Sequence, residues 1–222
     1  MNLEEYKIDN ININTCYYIP NFITESEEKL LLHEINKTPT IRWTQLSNRR
    51  LIQIGGVPTN KGMIAEEIPK IYQTYIERIN DLNIFKEHKA NHILLNEYLP
   101  GQGILPHCDG PLFYPIISTI SLGSHTVLEF NKQQNDDDSY KIVKEFKLFI
   151  APRSLLILKD NLYKDYMHGI SEITEDNLDD PTLKNVVTKI SESSNVLARS
   201  TRYSLTIRNV PRTSKMKLKF FK

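Results

Sequence analysis

Three side chains suited to binding a transition metal stand out: His107 and Asp109 in "PHCDG", and His168 in "YMHGI". Side chains alternate along a β-strand, so residues at i and i+2 share a face, and Cys108 between the first two points away as a bystander. An H-X-D pair alone is weak evidence, because an exposed His beside an acid is usually an ordinary surface pair. His168 adds a third ligand from far along the chain, and Gly169 after it permits close backbone approach.

Two imidazoles and one carboxylate form a facial set that suits Fe(II) and leaves coordination positions open for substrate and O2, as in non-haem iron oxygenases. A second stretch, "RYSLTIR" at 202–208, places Arg202, Ser204, Thr206 and Arg208 on one strand face and Tyr203, Leu205 and Ile207 on the other. If the polar face lines an interior, two guanidinium groups sit in poorly hydrated space, which is costly unless anions pair with them. A small dicarboxylate would serve, and the planar fork of Arg binds carboxylates bidentately. The two arginines are about 20 Å apart along the strand, so their long side chains must converge. The alternative is an edge strand whose polar face meets solvent. Asn96 and Tyr98 in "NEY" are another i, i+2 pair on one face.

The elements that must position these residues follow from pattern. The 222 residues suit one domain, and 28 Lys+Arg against 27 Asp+Glu neither demand nor exclude a polyanionic partner. Two cysteines are too few for a disulfide framework, so a reducing compartment, cytoplasmic or nuclear, is expected. No apolar run approaches a membrane span, so a soluble protein, monomeric and without membrane association, is expected. The spacing predicts helices over 24–37, opened by a Thr24–Glu27 capping box, and over 62–80, with Pro69 disturbing the first turn. From 91 onward short β-branched and aromatic runs dominate: "HILLNEYL", "PIISTISLG", "HTVLEF", "KEFKLFIA", "SLLILK" and "RYSLTIRNV". That spacing predicts a barrel or jelly roll. The polar segments 131–140 and 171–199 read as rim loops.

Taken together and in this order, "NEY", "HCD", a distant His168 and "RYSLTIR" resemble the AlkB family of Fe(II)- and 2-oxoglutarate-dependent dioxygenases. More narrowly, "NHILLNEYLPGQGILPHCDGPLFYPIISTISLGSHTVLEF" is similar to the sixth AlkB homologue subfamily of eukaryotes. "YYIPNFITESEE", "RWTQLSNRRL" and "PRSLLILK" extend the resemblance over nearly the whole chain. It implies an α+β, mainly β fold: a double-stranded β-helix (jelly roll) core over about 91–212, with an N-terminal helical and lid region over about 1–90. It implies that His107, Asp109 and His168 bind Fe(II), and that Arg202 holds the distal carboxylate of 2-oxoglutarate. Arg208 would sit near the metal-proximal end, with hydrogen bonds added by Asn96 and Tyr98. Ser204 stands where the bacterial enzyme commonly has Asn. The implied reaction uses O2, turns 2-oxoglutarate into succinate and oxidises a substrate C–H; an N-methyl oxidised in this way is lost as formaldehyde.

For a nucleobase the target must leave its stack and enter a pocket. Trp43 with Arg42, Arg49 and Arg50 resembles the nucleotide-recognition lid that precedes the AlkB core, where the Trp stacks on the alkylated base. The alternative is a core Trp beneath a solvated arginine rim. Leu112, Phe113 and Tyr114, immediately after the metal-binding loop, are expected at the mouth of the site. The bacterial enzyme has an acid two positions beyond its metal-binding Asp; here that position is Pro111. The basic end "RTSKMKLKFFK" reads as a solvated tail. Of the other histidines none pairs with a carboxylate at ligand spacing, and for His125 the subfamily resemblance suggests a structural role. The expected partner is alkylated DNA or RNA. Two alternatives stay open: the same chemistry on a protein or small molecule, and a non-catalytic nucleic-acid-binding adaptor.

Overall fold

The computed structural model describes residues 1–9, 11, 15–136, 139–185 and 195–214, and for 133–136 and 139–141 the backbone only. In chain order the strands are β1 (Cys16–Ile19), β2 (Thr44–Leu46), β3 (Arg49–Ile54), β4 (Met63–Ile64), β5 (His92–Tyr98), β6 (Ile104–His107), β7 (Ile116–Leu122) and β8 (Thr126–Asp136). They continue with β9 (Ser139–Ile150), β10 (Leu155–Lys159), β11 (Tyr166–Ile170), β12 (Glu175–Asn177), β13 (Val196–Ala198), β14 (Arg202–Arg208) and β15 (Thr213–Ser214). The α-helices are α1 (Glu25–Asn36), α2 (Lys70–Asn80) and the short α3 (Asn161–Lys164).

Seven strands form one sheet in the order β1-β10-β7-β14-β5-β3-β2, and four form a second, β6-β11-β8-β9. Period-2 alternation divides the larger sheet into two faces. Ile93 and Leu95 of β5, Ile120 of β7, Ile157 of β10 and Leu205 and Ile207 of β14 point to one side and pack with Leu31 and Ile35 of α1 and Tyr75, Ile76 and Ile79 of α2. On the other side Ile117, Leu156 and Leu158 meet Phe130, Phe146, Leu148 and Ile150 of the smaller sheet. The result is a jelly roll, mainly β, with the helices outside the larger sheet and the space between the sheets left for the site.

Helix α1 starts where its capping box predicts: Thr24 accepts from the Glu27 amide, and the Glu27 carboxylate accepts from the Thr24 amide. Helix α2 is shorter than the periodicity predicts. Pro69 is its N-cap with ψ near 141°, and upstream Met63 and Ile64 pair with β15 as a two-residue strand, so 62–69 is not helical. Residues 1–90 also supply β1, β2 and β3 to the larger sheet, in addition to helices.

The polar segment 131–140 is a correction to the loop reading. β8 and β9 stay paired out to Asp136 and Ser139 in one long ribbon, because backbone pairing propagates along a hairpin whatever its side chains do. Segment 171–199 carries the small β12–β13 ladder, and Asn185 closes both backbone groups of Phe149 at the β9 edge. Residues 186–194, and 215–222 of the basic tail, lie outside the described residues. No helix among the described residues is long and apolar enough to cross a membrane.

Candidate active site

The three ligand candidates meet through strand register. β6 and β11 are antiparallel neighbours with His107 directly opposite His168, ring centroids 4.6 Å apart. A Cβ on Gly169 would meet Ile104 O and Pro106 N at 2.9 Å, so only Gly lets the two strands approach this closely. β6 ends at His107, and Asp109 follows it outside the strand. One ligand atom from each of His107, Asp109 and His168 falls within 4.8 Å of the others.

Two of the three ligand candidates, His107 and Asp109, are held from behind by hydrogen bonds. His107 Nδ1 donates to the Leu105 carbonyl at 2.9 Å, which turns Nε2 toward the cluster. Asp109 Oδ1 lies 4.0 Å from His107 Nε2 and 3.9 Å from His168 Nε2, while its Oδ2 accepts from Arg208 Nη1 at 3.1 Å. Burial pushes His168 down to about 4, outweighing the nearby Asp109 carboxylate, so its imidazole is neutral at pH 7, the form that binds metal. Tyr163 donates to the Gly110 carbonyl at 2.7 Å and pins the loop that carries Asp109.

The cavity between the sheets has a volume of about 540 Å³, and Asn96, Tyr98, Arg202, Ser204 and Arg208 all line it. The β14–β5 register sets Arg202 opposite Tyr98 and Ser204 opposite Asn96. Arg202 is buried; it donates to Ser121 Oγ at 2.9 Å and lies 5.7 Å from the centre of the Tyr98 ring. Burial lowers its pKa to about 10, so it remains charged at neutral pH. Among the described residues no carboxylate pairs with it. Arg202 Nε, Arg208 Nε and His168 Nδ1 are buried without hydrogen-bond partners. A wall with a buried, anion-free guanidinium at one end and a facial ligand set at the other fits a dicarboxylate that also reaches a metal.

The lid residues divide. Arg49 lines the cavity, its Nε donating to Asn96 Oδ1 at 3.1 Å. Arg50 lies on the opposite face of β3, where it donates to both Glu97 oxygens at 2.6 Å and stacks on Trp43 at 4.2 Å. Trp43 packs against the helix-side core and does not line the cavity. Phe113 covers the Arg208 guanidinium at 4.0 Å, and Tyr114 packs on His88 and Phe85, so neither lines the cavity. None of Trp43, Arg50, Phe113 and Tyr114 is among the residues lining the cavity, and each packs against a neighbour instead. The physical reason is that alternation in β3 sends Arg49 and Arg50 to opposite sides, and Glu97 captures the second.

Pattern reading missed Ser121, Tyr163 and the buried cluster in which Asp176 accepts from Arg199 at 2.7 Å twice and pairs with His125 at 3.1 Å. Their sequence separations of 23 and 51 residues carry no local signal. Over the mouth, Asn48 in the β2–β3 turn donates to Glu172 beyond β11.

The sequence profile of the 2OG-Fe(II) oxygenase superfamily matches residues 53–208. A Danio rerio protein named "Probable RNA/DNA demethylase ALKBH6" is 44% identical over 207 residues, covering 89% of this chain and 86% of that one. An Arabidopsis thaliana protein named "Alkylated DNA repair protein ALKBH8 homolog" is 26% identical over 206 residues, 82% of this chain and 58% of that one. The solved structure of OsALKBH1 aligns with a TM-score of 0.54 at 15% identity, covering 88% of this chain and 96% of that one. A Pseudomonas putida prolyl-4-hydroxylase aligns with a TM-score of 0.54 at 11% identity, covering 93% and 97%. These two likenesses are of fold.

Proposed function

This chain belongs to the 2OG-Fe(II) oxygenase superfamily, in its AlkB-homologue branch, and on that premise we propose that it removes alkyl groups oxidatively from nucleic acid. The observation that carries the site assignment is the buried Arg202, charged and without an anion, on the wall that ends at His107, Asp109 and His168. The name of the 44% identical Danio rerio relative, an RNA/DNA demethylase, supports the nucleic-acid substrate.

When bound, Fe(II) with 2-oxoglutarate and O2 supplies the oxidation of an unactivated C–H bond, with succinate, CO2 and, from an N-methyl group, formaldehyde as products. His107, Asp109 and His168 would hold the metal, and Arg202 the distal carboxylate, with Asn96, Tyr98 and Ser204 beside it on the same wall. Arg208 occupies Oδ2 of Asp109, so Oδ1 is the oxygen that would be offered to the metal. Its position also favours the metal-proximal carboxylate of the cosubstrate. Apolar Leu94, Ile117, Leu128, Leu156 and Leu158 line the same cavity.

The test is succinate formation by purified protein with Fe(II), ascorbate and O2, with and without methylated DNA and RNA oligonucleotides, His107→Ala serving as control. Turnover stimulated by an oligonucleotide, and absent in the variant, is the expected result. Turnover indifferent to every oligonucleotide would move the substrate to a protein or small molecule and leave the oxygenase standing.

A further inference from the structure

We propose that the site takes its target nucleobase uncharged, discriminating against cationic N-alkyl bases, and that Arg49 is the residue that makes this distinction. The inference rests on the nucleic-acid reading above and names the substrate class within it.

Charge on the cavity wall is lopsided. Three guanidinium groups line it, Arg49, Arg202 and Arg208, and the one carboxylate among the lining residues is Asp109. That carboxylate already answers to Arg208 and to the ligand cluster. Arg49 lacks an acid partner among the described residues, in contrast to Arg50, whose fork is filled by Glu97. Glu172 keeps its charge, accepting from the neutral amide of Asn48, but it is exposed to solvent and is not among the residues lining the cavity. Pro111 brings no charge to the loop after Asp109. Fe(II) and 2-oxoglutarate carry equal and opposite charges, so loading the site leaves the positive excess in place.

Shape points the same way. With Trp43 on the far face of the sheet, the aromatic rings left on the wall besides the two ligand imidazoles reduce to Tyr98, which is buried against Arg202. The planar group beside the turn residues Ser47 and Asn48 is the half-buried Arg49 guanidinium, oriented by its hydrogen bond to Asn96. A guanidinium plane stacks favourably on the face of a neutral base, by cation–π attraction, and repels a base that carries its own positive charge. Discrimination of this kind is worth about tenfold for charges several ångströms apart in a partly buried site, and it weakens with salt.

The experiment compares single-stranded oligonucleotides identical except at one base: N6-methyladenine or 3-methyluracil, which are uncharged, against 1-methyladenine or 3-methylcytosine, which are cationic at neutral pH. Affinity is read by fluorescence anisotropy on metal-free protein at low salt, and formaldehyde release on the Fe(II)- and 2-oxoglutarate-loaded enzyme. The uncharged pair should bind at least about tenfold tighter and be the pair that is oxidised. Arg49→Gln, which keeps a donor toward Asn96, should bring the affinity ratio toward one, and Arg49→Glu should invert it. Equal or tighter binding of the cationic pair by the unmodified protein, or a ratio unmoved by both variants, overturns the inference and leaves dealkylation intact. If neither pair is bound or oxidised, the nucleic-acid reading fails and this inference fails with it.

Discussion

Arg199 and Arg202 are three residues apart, both buried, and opposite in what surrounds them. Arg199 donates twice to Asp176 and once to the Ser171 carbonyl, and His125 completes the cluster on Asp176. Arg202 has a serine hydroxyl and the face of Tyr98. A buried charge is tolerable when paired and expensive when not. The saturated cluster therefore ties the segment carrying β12 and β13 to the jelly roll, and the unsaturated arginine gives up stability so that an incoming anion can complete it.

The largest expected effect removes the chemistry and leaves both regions standing. His107→Ala should reduce 2-oxoglutarate turnover to background, with circular dichroism unchanged, because the facial set loses a ligand while no buried charge loses its partner. Next comes Asp176→Ala, which strands a buried guanidinium and should cost about 3–5 kcal/mol in denaturant unfolding. Its KM for 2-oxoglutarate should move little; a KM loss comparable to that of Arg202 variants would erase the contrast between the two regions.

Arg202→Met should do the reverse. It should raise KM for 2-oxoglutarate by about 100-fold, the usual cost of truncating one partner of a buried charge pair. Unliganded stability should hold or rise, since an unpaired charge is gone, and added 2-oxoglutarate should no longer raise Tm.

A smaller effect is read against pH. Burial raises the Asp176 pKa, but hydrogen bonds from Arg199 and His125 outweigh it and hold the carboxyl below its ordinary value. The stability Asp176 contributes is thus fully present above the unfolded Asp range, near pH 4, and is lost as pH falls through the depressed folded value. The stability gap between wild type and Asp176→Ala should narrow over that acid window and stay flat above it.

The smallest effect is expected of Trp43→Leu. Losing the stack on Arg50 should cost about 0.5–1 kcal/mol, with oligonucleotide affinity nearly unchanged. A large affinity loss would return Trp43 to the substrate side.

Much of the site was legible because its signals are local. Alternation in "RYSLTIR" put Arg202, Ser204, Thr206 and Arg208 on one face, and all four line the cavity. The Thr24–Glu27 pair marked the start of α1. The stretch 131–140 was misread because polarity suggests a loop, whereas a hairpin ladder depends on backbone pairing that polarity does not report. The extent of α2 was misread because periodicity ran through Pro69, where the cap geometry stops the helix.

Local pattern was enough for the three candidate metal ligands, the order of motifs that marks the family, and the shared face of residues within β14. Beyond the end of β6 the alternation expected of His107 and Asp109 does not apply, and Cys108, expected to point away, lines the cavity with them. Tertiary structure alone decided that His107 lies opposite His168, that Asp176 neutralises Arg199, and that Arg49 turns into the cavity while Arg50 turns to Glu97 and Trp43. Alternation fixes faces only relative to one another. Which face turns inward, and which charge finds a partner there, depends on strands that arrive from elsewhere in the chain.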